Sequence, residues 1–183
     1  MVKVAKVKHF SVIIPFNKDK TYVLLGRKKR GLGEGLWNGF GGKPEKGETI
    51  SQCAYRELKE ECGLVAKELV CAGVLYMEDT QGPAYHIPVY TGSEFTGEVF
   101  ESDEMEPKWF AVSSEIPYSE MYEEARIWWP TLFKGDRFIG YFYFDGEKLG
   151  KWNIESVDEG QIQAHLDAID KILLADAVEQ YEY

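Results

Sequence analysis

Apolar residues follow two different periods along this 183-residue chain. Phe10 to Phe16 is apolar and β-branched, Asn17-Lys18-Asp19-Lys20 has turn chemistry, and Tyr22-Val23-Leu24-Leu25 is apolar again, a succession that predicts a β-hairpin. Residues 26–48 carry eight glycines and predict a long loop, interrupted by Leu36-Trp37-Asn38-Gly39-Phe40. A helix is predicted over about 50–62, with Thr49 and Gln52 at capping-box spacing and Gly63 just past its end. Strands are predicted over about 68–77, 84–91 and 107–112, and partial helix over 117–134. Arg137 to Asp145 alternates like a strand ending in an Asp-Gly turn, with Trp152 to Val157 as its partner. Ile162, Leu166, Ile169, Leu173 and Ala177 recur at helical spacing, and Ser156 with Glu159 is the predicted cap of that last helix. Strands and helices alternate without regular βαβ units, which predicts the α+β class, a mixed sheet flanked by helices.

The length suits one domain, and a hydrophobic fraction of 44% excludes disorder as the dominant state. The net charge of −10 argues against binding a nucleic acid polymer through its backbone. That charge is uneven: residues 1–48 hold 11 Lys+Arg against 4 Asp+Glu, while residues 49–183 hold 10 against 27. An acidic cluster beside a basic one can hold a divalent metal and a polyanion together. Cys53, Cys62 and Cys71 show no Cys-x-x-Cys spacing, so buried thiols in a reducing compartment are expected rather than a zinc site or disulfide framework. The stretch Met1 to Lys8 has no signal-peptide character and no apolar run is long enough to span a bilayer. The expectation is a cytoplasmic monomer or homodimer that does not act at a membrane.

Chemistry concentrates in Arg56-Glu57-Leu58-Lys59-Glu60-Glu61. On a helix the three glutamates fall within an arc of roughly 100°, in about the same sector as Ile50, Cys53 and Ala54. A solvated charged face is the ordinary reading of such a run, but these carboxylates continue an apolar stripe instead of opposing it. Like charges one turn apart repel, and Arg56 answers only part of them. Hard oxygen donors on a rigid helix suit Mg²⁺ or Mn²⁺, ions that bind through a few carboxylates plus substrate phosphates.

Gly42, five residues, Glu48, seven residues, Arg56-Glu57-Leu58, one residue, Glu60-Glu61, one residue and Gly63-Leu64 fill every position of the Nudix box. The chain therefore resembles the Nudix (MutT-type) family. Further segments are similar, in order, to the branch of that family that hydrolyses oxidised purine nucleoside triphosphates. They are Val23-Leu24-Leu25-Gly26, Lys28-Lys29-Arg30-Gly31, Trp37 to Lys43, Glu101 to Met105, Trp109-Phe110, Trp128 with Pro130, and Gly140-Tyr141-Phe142. The likeness runs from about residue 8 to 158. It implies a Nudix hydrolase domain over 1–158 and a helical extension over 159–183, packed on that domain or at an interface.

The resemblance implies an α/β/α sandwich and Mg²⁺-dependent hydrolysis of oxidised purine dNTPs, such as 8-oxo-dGTP and 2-hydroxy-dATP, to the monophosphate and pyrophosphate. Normal dNTPs, nucleoside diphosphate sugars and dinucleoside polyphosphates are alternative substrates. A non-hydrolytic nucleotide sensor is the alternative from another class, but sensors usually lose a box glutamate and this chain keeps them all. By the same resemblance Glu57, Glu60, Glu61, Glu104 and the Gly41 carbonyl bind metal, and either Glu57 or Glu104 is the base. Arg56 orients a glutamate and Glu48 braces the loop. Lys28 and Lys43 reach phosphate or hold the loop, and Ser11, Phe40, Gly41 and Gly42 line the substrate. Asn38 reads a purine edge with its amide, and Tyr122 and Trp128 wall the ring. Where the family has two consecutive Asp, an ungapped alignment offers Glu124 and Ala125, and a one-residue shift offers Glu123 and Glu124. Leu32, Met77 and Asp79 stand where the family has Phe.

Overall fold

Side chains alternate about a strand, so a strand buried on both faces can build two cores at once. The computed structural model describes residues 6–178, with side chains as far as residue 175. Its first half contains β1 (Val7–His9), β2 (Val12–Pro15), β3 (Tyr22–Lys28), β4 (Trp37–Asn38), α1 (Ile50–Cys62) and β5 (Val65–Ala66). Then follow β6 (Val70–Asp79), β7 (Ala84–Gly92), β8 (Phe95–Thr96), β9 (Met105–Ala111), α2 (Ala125–Lys134), β10 (Phe138–Asp145), β11 (Lys148–Ser156) and α3 (Glu159–Val178). A six-stranded mixed sheet runs β1-β7-β6-β10-β11, with β2 also paired to β7. A second, antiparallel sheet runs β4-β3-β9, and β5 pairs β8.

Phe138 and Phe142 of β10 point to one face of the main sheet, where they join Leu75, Val89 and the α2 residues Trp128, Trp129 and Leu132. Ile139 points to the other face and joins Val74, Tyr90, the α1 residues Ile50, Ala54 and Leu58, and Ile162 and Ile169 of α3. Helices thus cover both faces, the α/β/α arrangement expected. Among the described residues no helix is long and apolar enough to cross a membrane, and the three cysteines are free and buried.

Two local expectations are corrected. The hairpin does not form: β2 runs parallel to β7, β3 joins β4 and β9, and only the Phe16–Val23 bridge links the two segments. Ile13, Ile14, Val23, Leu24 and Leu25 are all fully buried, so each segment can sit inside a separate sheet, and its apolar pattern does not name its partner. The turn chemistry survives, with the Asn17 carboxamide oxygen accepting from the Tyr22 N–H at 2.9 Å. The second correction is the cap of α3. Ser156 is the last residue of β11, and the reciprocal capping bonds run between Asp158 and Gln161, both at 2.9 Å. In α3 itself Ile162 and Ile169 are buried and Leu166 and Leu173 half-buried, while the side chain of Ala177 lies outside the described residues.

Candidate active site

The buried stripe of α1 is Ile50, Cys53, Ala54, Leu58 and Cys62, and Glu61 falls on it, only 4% exposed. Glu57 is half-buried beside it and Glu60 faces outward. The helix begins at the predicted Thr49–Gln52 capping box and ends at Gly63, in the left-handed conformation a C-cap requires. Its carboxylates therefore hang from a helix fixed at both ends.

The glycine-rich loop lies across them because it is zipped to β2. Ile13 and Phe40 exchange two backbone hydrogen bonds, and the Ser11 N–H donates to the Gly42 carbonyl at 2.9 Å. Gly41 has φ +148, and any side chain there would run into the Ser11 carbonyl; one at Gly42 would meet the Glu57 carboxylate. This close approach lets the Gly41 N–H donate to Glu61 Oε2 at 2.8 Å.

Three cations organise the acids. Arg56 donates to both oxygens of Glu48 at 2.9 Å, to Glu57 at 2.9 Å, to Glu60 at 3.1 Å and to the Lys43 carbonyl at 3.1 Å. It is an orienting clamp. Lys28 Nζ lies 3.4 Å from Glu61 and 3.2 Å from Glu104, whose other oxygen takes Arg30 at 2.7 Å. The loop bearing Glu104 is thereby drawn to the end of α1.

Burial pushes the Glu61 carboxyl up to about 7, against the pull of the Gly41 N–H and Lys28. Burial also raises Glu57, with the charges of Glu60 and Glu104 adding to it and Arg56 opposing. Glu104 is lowered by Arg30 and Lys28, and Glu48 by Arg56. Glu48, Glu57, Glu60, Glu61 and Glu104 gather around three cations, Lys28, Arg30 and Arg56, and carboxylate oxygens in such a surplus fit a hard divalent ion. Among the described residues no three acids, histidines or thiols converge as a ready cage. Arg56 holds Glu57 and Glu60, Lys28 holds Glu61 and Glu104, and an ion has to compete for those oxygens.

The other expected contacts divide. Ser11 is 1% exposed with its hydroxyl 3.4 Å from Cys53 Sγ, and the Phe40 ring is fully buried beside Ile13 and Leu24, so both side chains pack inward. Trp128 is likewise a core residue, stacked obliquely on Trp129 and Phe138, and backs the region instead of walling it. Lys43 is exposed, its ammonium 5.4 Å over the Phe10 ring. Asn38 Oδ1 accepts from the Gly39 N–H at 2.8 Å. Tyr122 lies against Gly33, and its hydroxyl is raised by burial with the charges of Glu124 and Tyr85 adding. Glu123 is exposed whereas Glu124 is buried, its carboxyl pushed up to about 7 by that burial. The two acids do not share an environment. Leu32 is exposed, and Asp79 accepts from Gln81 and Gly146 in a turn.

Sequence reasoning missed Arg30 as the tether of Glu104 and Cys53 as the thiol that touches Ser11, the Gly42 carbonyl and Arg56. Arg30 had a signal in the Lys28-Lys29-Arg30 run, but Cys53 had none beyond its place on the apolar stripe.

Residues 6–132 match the NUDIX domain. An oxidized purine nucleoside triphosphate hydrolase of Danio rerio is 46% identical over 130 residues, covering 69% of this chain and 81% of its own length. The protein of the same name from Mus musculus is 38% identical over 138 residues, covering 74% and 88%. The crystal structure of a mutator MutT protein from Bacillus halodurans superposes with TM-score 0.70 at 23% identity, over 81% of this chain and 97% of the other, a likeness of fold.

Proposed function

The chain belongs to the Nudix hydrolase family, and from that premise we propose that it hydrolyses purine nucleoside triphosphates bearing an oxidised base, using water to release the monophosphate and pyrophosphate. The observation that carries this reading is Glu61, a carboxylate buried on the apolar stripe of α1 and bonded to the Gly41 N–H, with Glu57, Glu60 and Glu104 around it. Family membership brings a divalent metal. Mg²⁺ or Mn²⁺ would be held by Glu57, Glu60, Glu61, Glu104 and the Gly41 carbonyl, and when bound supplies charge neutralisation for the polyphosphate and a more acidic attacking water.

The protein's own groups do the rest. Arg56 fixes the directions of Glu48, Glu57 and Glu60 and ties them to the Lys43 carbonyl, so the carboxylates are held close to where an ion would meet them. Lys28 and Lys43 offer ammonium groups to phosphate oxygens. Glu57, with its carboxyl raised, is a better proton acceptor from the attacking water than Glu104, which two cations hold low.

Base selection belongs to Asn38, Glu124 and Tyr122. A carboxyl titrating near 7 can donate as well as accept a hydrogen bond, which suits the altered donor pattern of an oxidised purine. The names of the two relatives support the same substrate class. With Ala125 in place of a second acid, the range of tautomers accepted is narrower.

Specificity constants for 8-oxo-dGTP and 2-hydroxy-dATP against dGTP and dATP test the proposal, with the same ratios in Glu124→Ala. The oxidised forms are expected to be preferred and the variant to lose that preference by about tenfold or more, since unmet buried polar groups are costly. Equal hydrolysis of normal dGTP, with an unchanged ratio in the variant, would remove the base assignment.

A further inference from the structure

The first N–H groups of a helix have no partner within it and must find one outside. In α1 the capping box takes care of Gln52, whose N–H reaches the Thr49 hydroxyl at 3.2 Å, and of Thr49, whose N–H reaches the Gln52 side chain at 2.9 Å. The N–H of Ile50, a residue with no exposed surface, donates instead to the Asp170 carboxylate at 2.7 Å. Asp170 belongs to α3, 120 residues further on and beyond the span that matches the NUDIX domain.

The contact is anchored. Ile162 and Ile169 of α3 are 3% and 2% exposed, packed in the same cluster as Ile50, Ala54 and Leu58 of α1. One turn before Asp170, the ring nitrogen Nδ1 of His165 lies 2.5 Å from the Tyr76 hydroxyl on β6. The C-terminal helix is therefore fixed to the sheet by His165 and to α1 by Asp170, with Glu159 at its start also 3.5 Å from the Arg137 guanidinium ahead of β10. Of these three polar contacts, only that of Asp170 touches the helix that bears the glutamates.

We propose that Asp170 is a positioning residue for that helix. A carboxylate at the N-terminus meets both an orphan donor and the positive end of the helix dipole, so it holds the first turn of α1 in place. The helix is rigid, and the register set at Ile50 is carried two turns on to Glu57 and three turns on to Glu61. There the 2.8 Å bond from Gly41 tolerates little displacement. The extension thus tunes how well the glutamates gather a divalent cation, without touching the substrate. This inference rests on the reading of those glutamates as metal ligands.

The test uses the full chain as wild type, Asp170→Ala, Asp170→Asn and His165→Phe. Mn²⁺ affinity without nucleotide, deuterium exchange of the amides in residues 50–53, melting temperature, and kcat and KM at limiting and saturating Mg²⁺ are measured. Asp170→Ala is expected to weaken Mn²⁺ binding and raise the half-activating Mg²⁺ concentration by about tenfold, the scale on which supporting contacts tune a metal site. It should speed exchange in the first turn of α1 and lower kcat, leaving the nucleotide KM at saturating Mg²⁺ within about twofold. Asp170→Asn keeps an acceptor oxygen and should restore Mn²⁺ affinity to within about threefold. His165→Phe loosens the same helix at another anchor, and should lower the melting temperature without changing Mn²⁺ affinity.

A loss of Mn²⁺ affinity shared equally by Asp170→Ala and His165→Phe would overturn the assignment, and so would a destabilised Asp170→Ala with unchanged Mn²⁺ affinity and unchanged exchange in α1. Should the wild type hydrolyse no nucleotide, the proposed activity fails, while Mn²⁺ affinity and exchange still decide the role of Asp170.

Discussion

At the scale of single residues, the most consequential placement is Glu61 at 4% exposure with its carboxyl pushed up to about 7. Glu61→Gln keeps the shape and an acceptor for the Gly41 N–H but removes the charge. Turnover is expected to fall by about three decades or more, as when residues act as one catalytic unit. The metal-free melting temperature should rise by about 2 °C or more. A steady-state assay and a thermal melt check both, and retention of a tenth of the activity would contradict the metal assignment. Glu124 gives a pH signature. Its folded carboxyl titrates near 7 against 4.5 for the unfolded chain, so between those values the unfolded state loses its proton first. Its contribution is therefore favourable below about 4.5, declines as pH rises to about 7, and is flat above. Each pH unit of separation is worth about 1.4 kcal/mol, so Glu124→Gln should gain on the order of 2–3 kcal/mol relative to wild type between pH 5 and pH 8. Urea midpoints at the two pH values measure it. Glu61 was legible in the sequence because it continues an apolar stripe; the inward turn of Ser11 and Phe40 was not, because a motif records residue type and not side-chain direction.

At the scale of elements, α1 was legible to its caps because capping is a local matter of a few residues. The partner of β2 was not, since Val12 pairs with Val89, far along the chain, whereas the expected hairpin partner is the very next segment, and a long-range pairing leaves no local trace. The cap of α3 missed by two residues because Ser156 was needed as the last pairing residue of β11. That helix also carries an expectation of its own. Removing it after Asp158 exposes the pocket of Ile162 and Ile169, at about 1.5–3 kcal/mol for each isoleucine no longer buried. Thermal melts of the shortened chain should show a fall of about 6–24 °C, at roughly 2–4 °C per kcal/mol for this length.

At the scale of the molecule, β6 and β10 serve both cores: Val74 and Ile139 face α1 and α3, while Leu75 and Phe138 face α2. Neither core can be lost alone without stripping one side of a shared strand. Unfolding is therefore expected to be one cooperative transition. Tryptophan fluorescence, whose buried reporters are Trp37, Trp128 and Trp129, should follow the same urea curve as the far-ultraviolet signal, which reports on helix and sheet. Separated midpoints would show the two cores to be independent. The fold class could be read from the succession of strand and helix patterns along the chain, whereas the gathering of Lys28, Arg30, Glu61 and Glu104 could not: three separate segments meet there, and no local pattern encodes the meeting.

The buried carboxylate of α1 also sets a direction for change over generations. A neutral or apolar side chain at position 61 would sit more comfortably on the stripe than an acid does, so at that position folding and chemistry select for opposite residues. A lineage that needed only to hold a nucleotide would reach a sturdier protein by one substitution there.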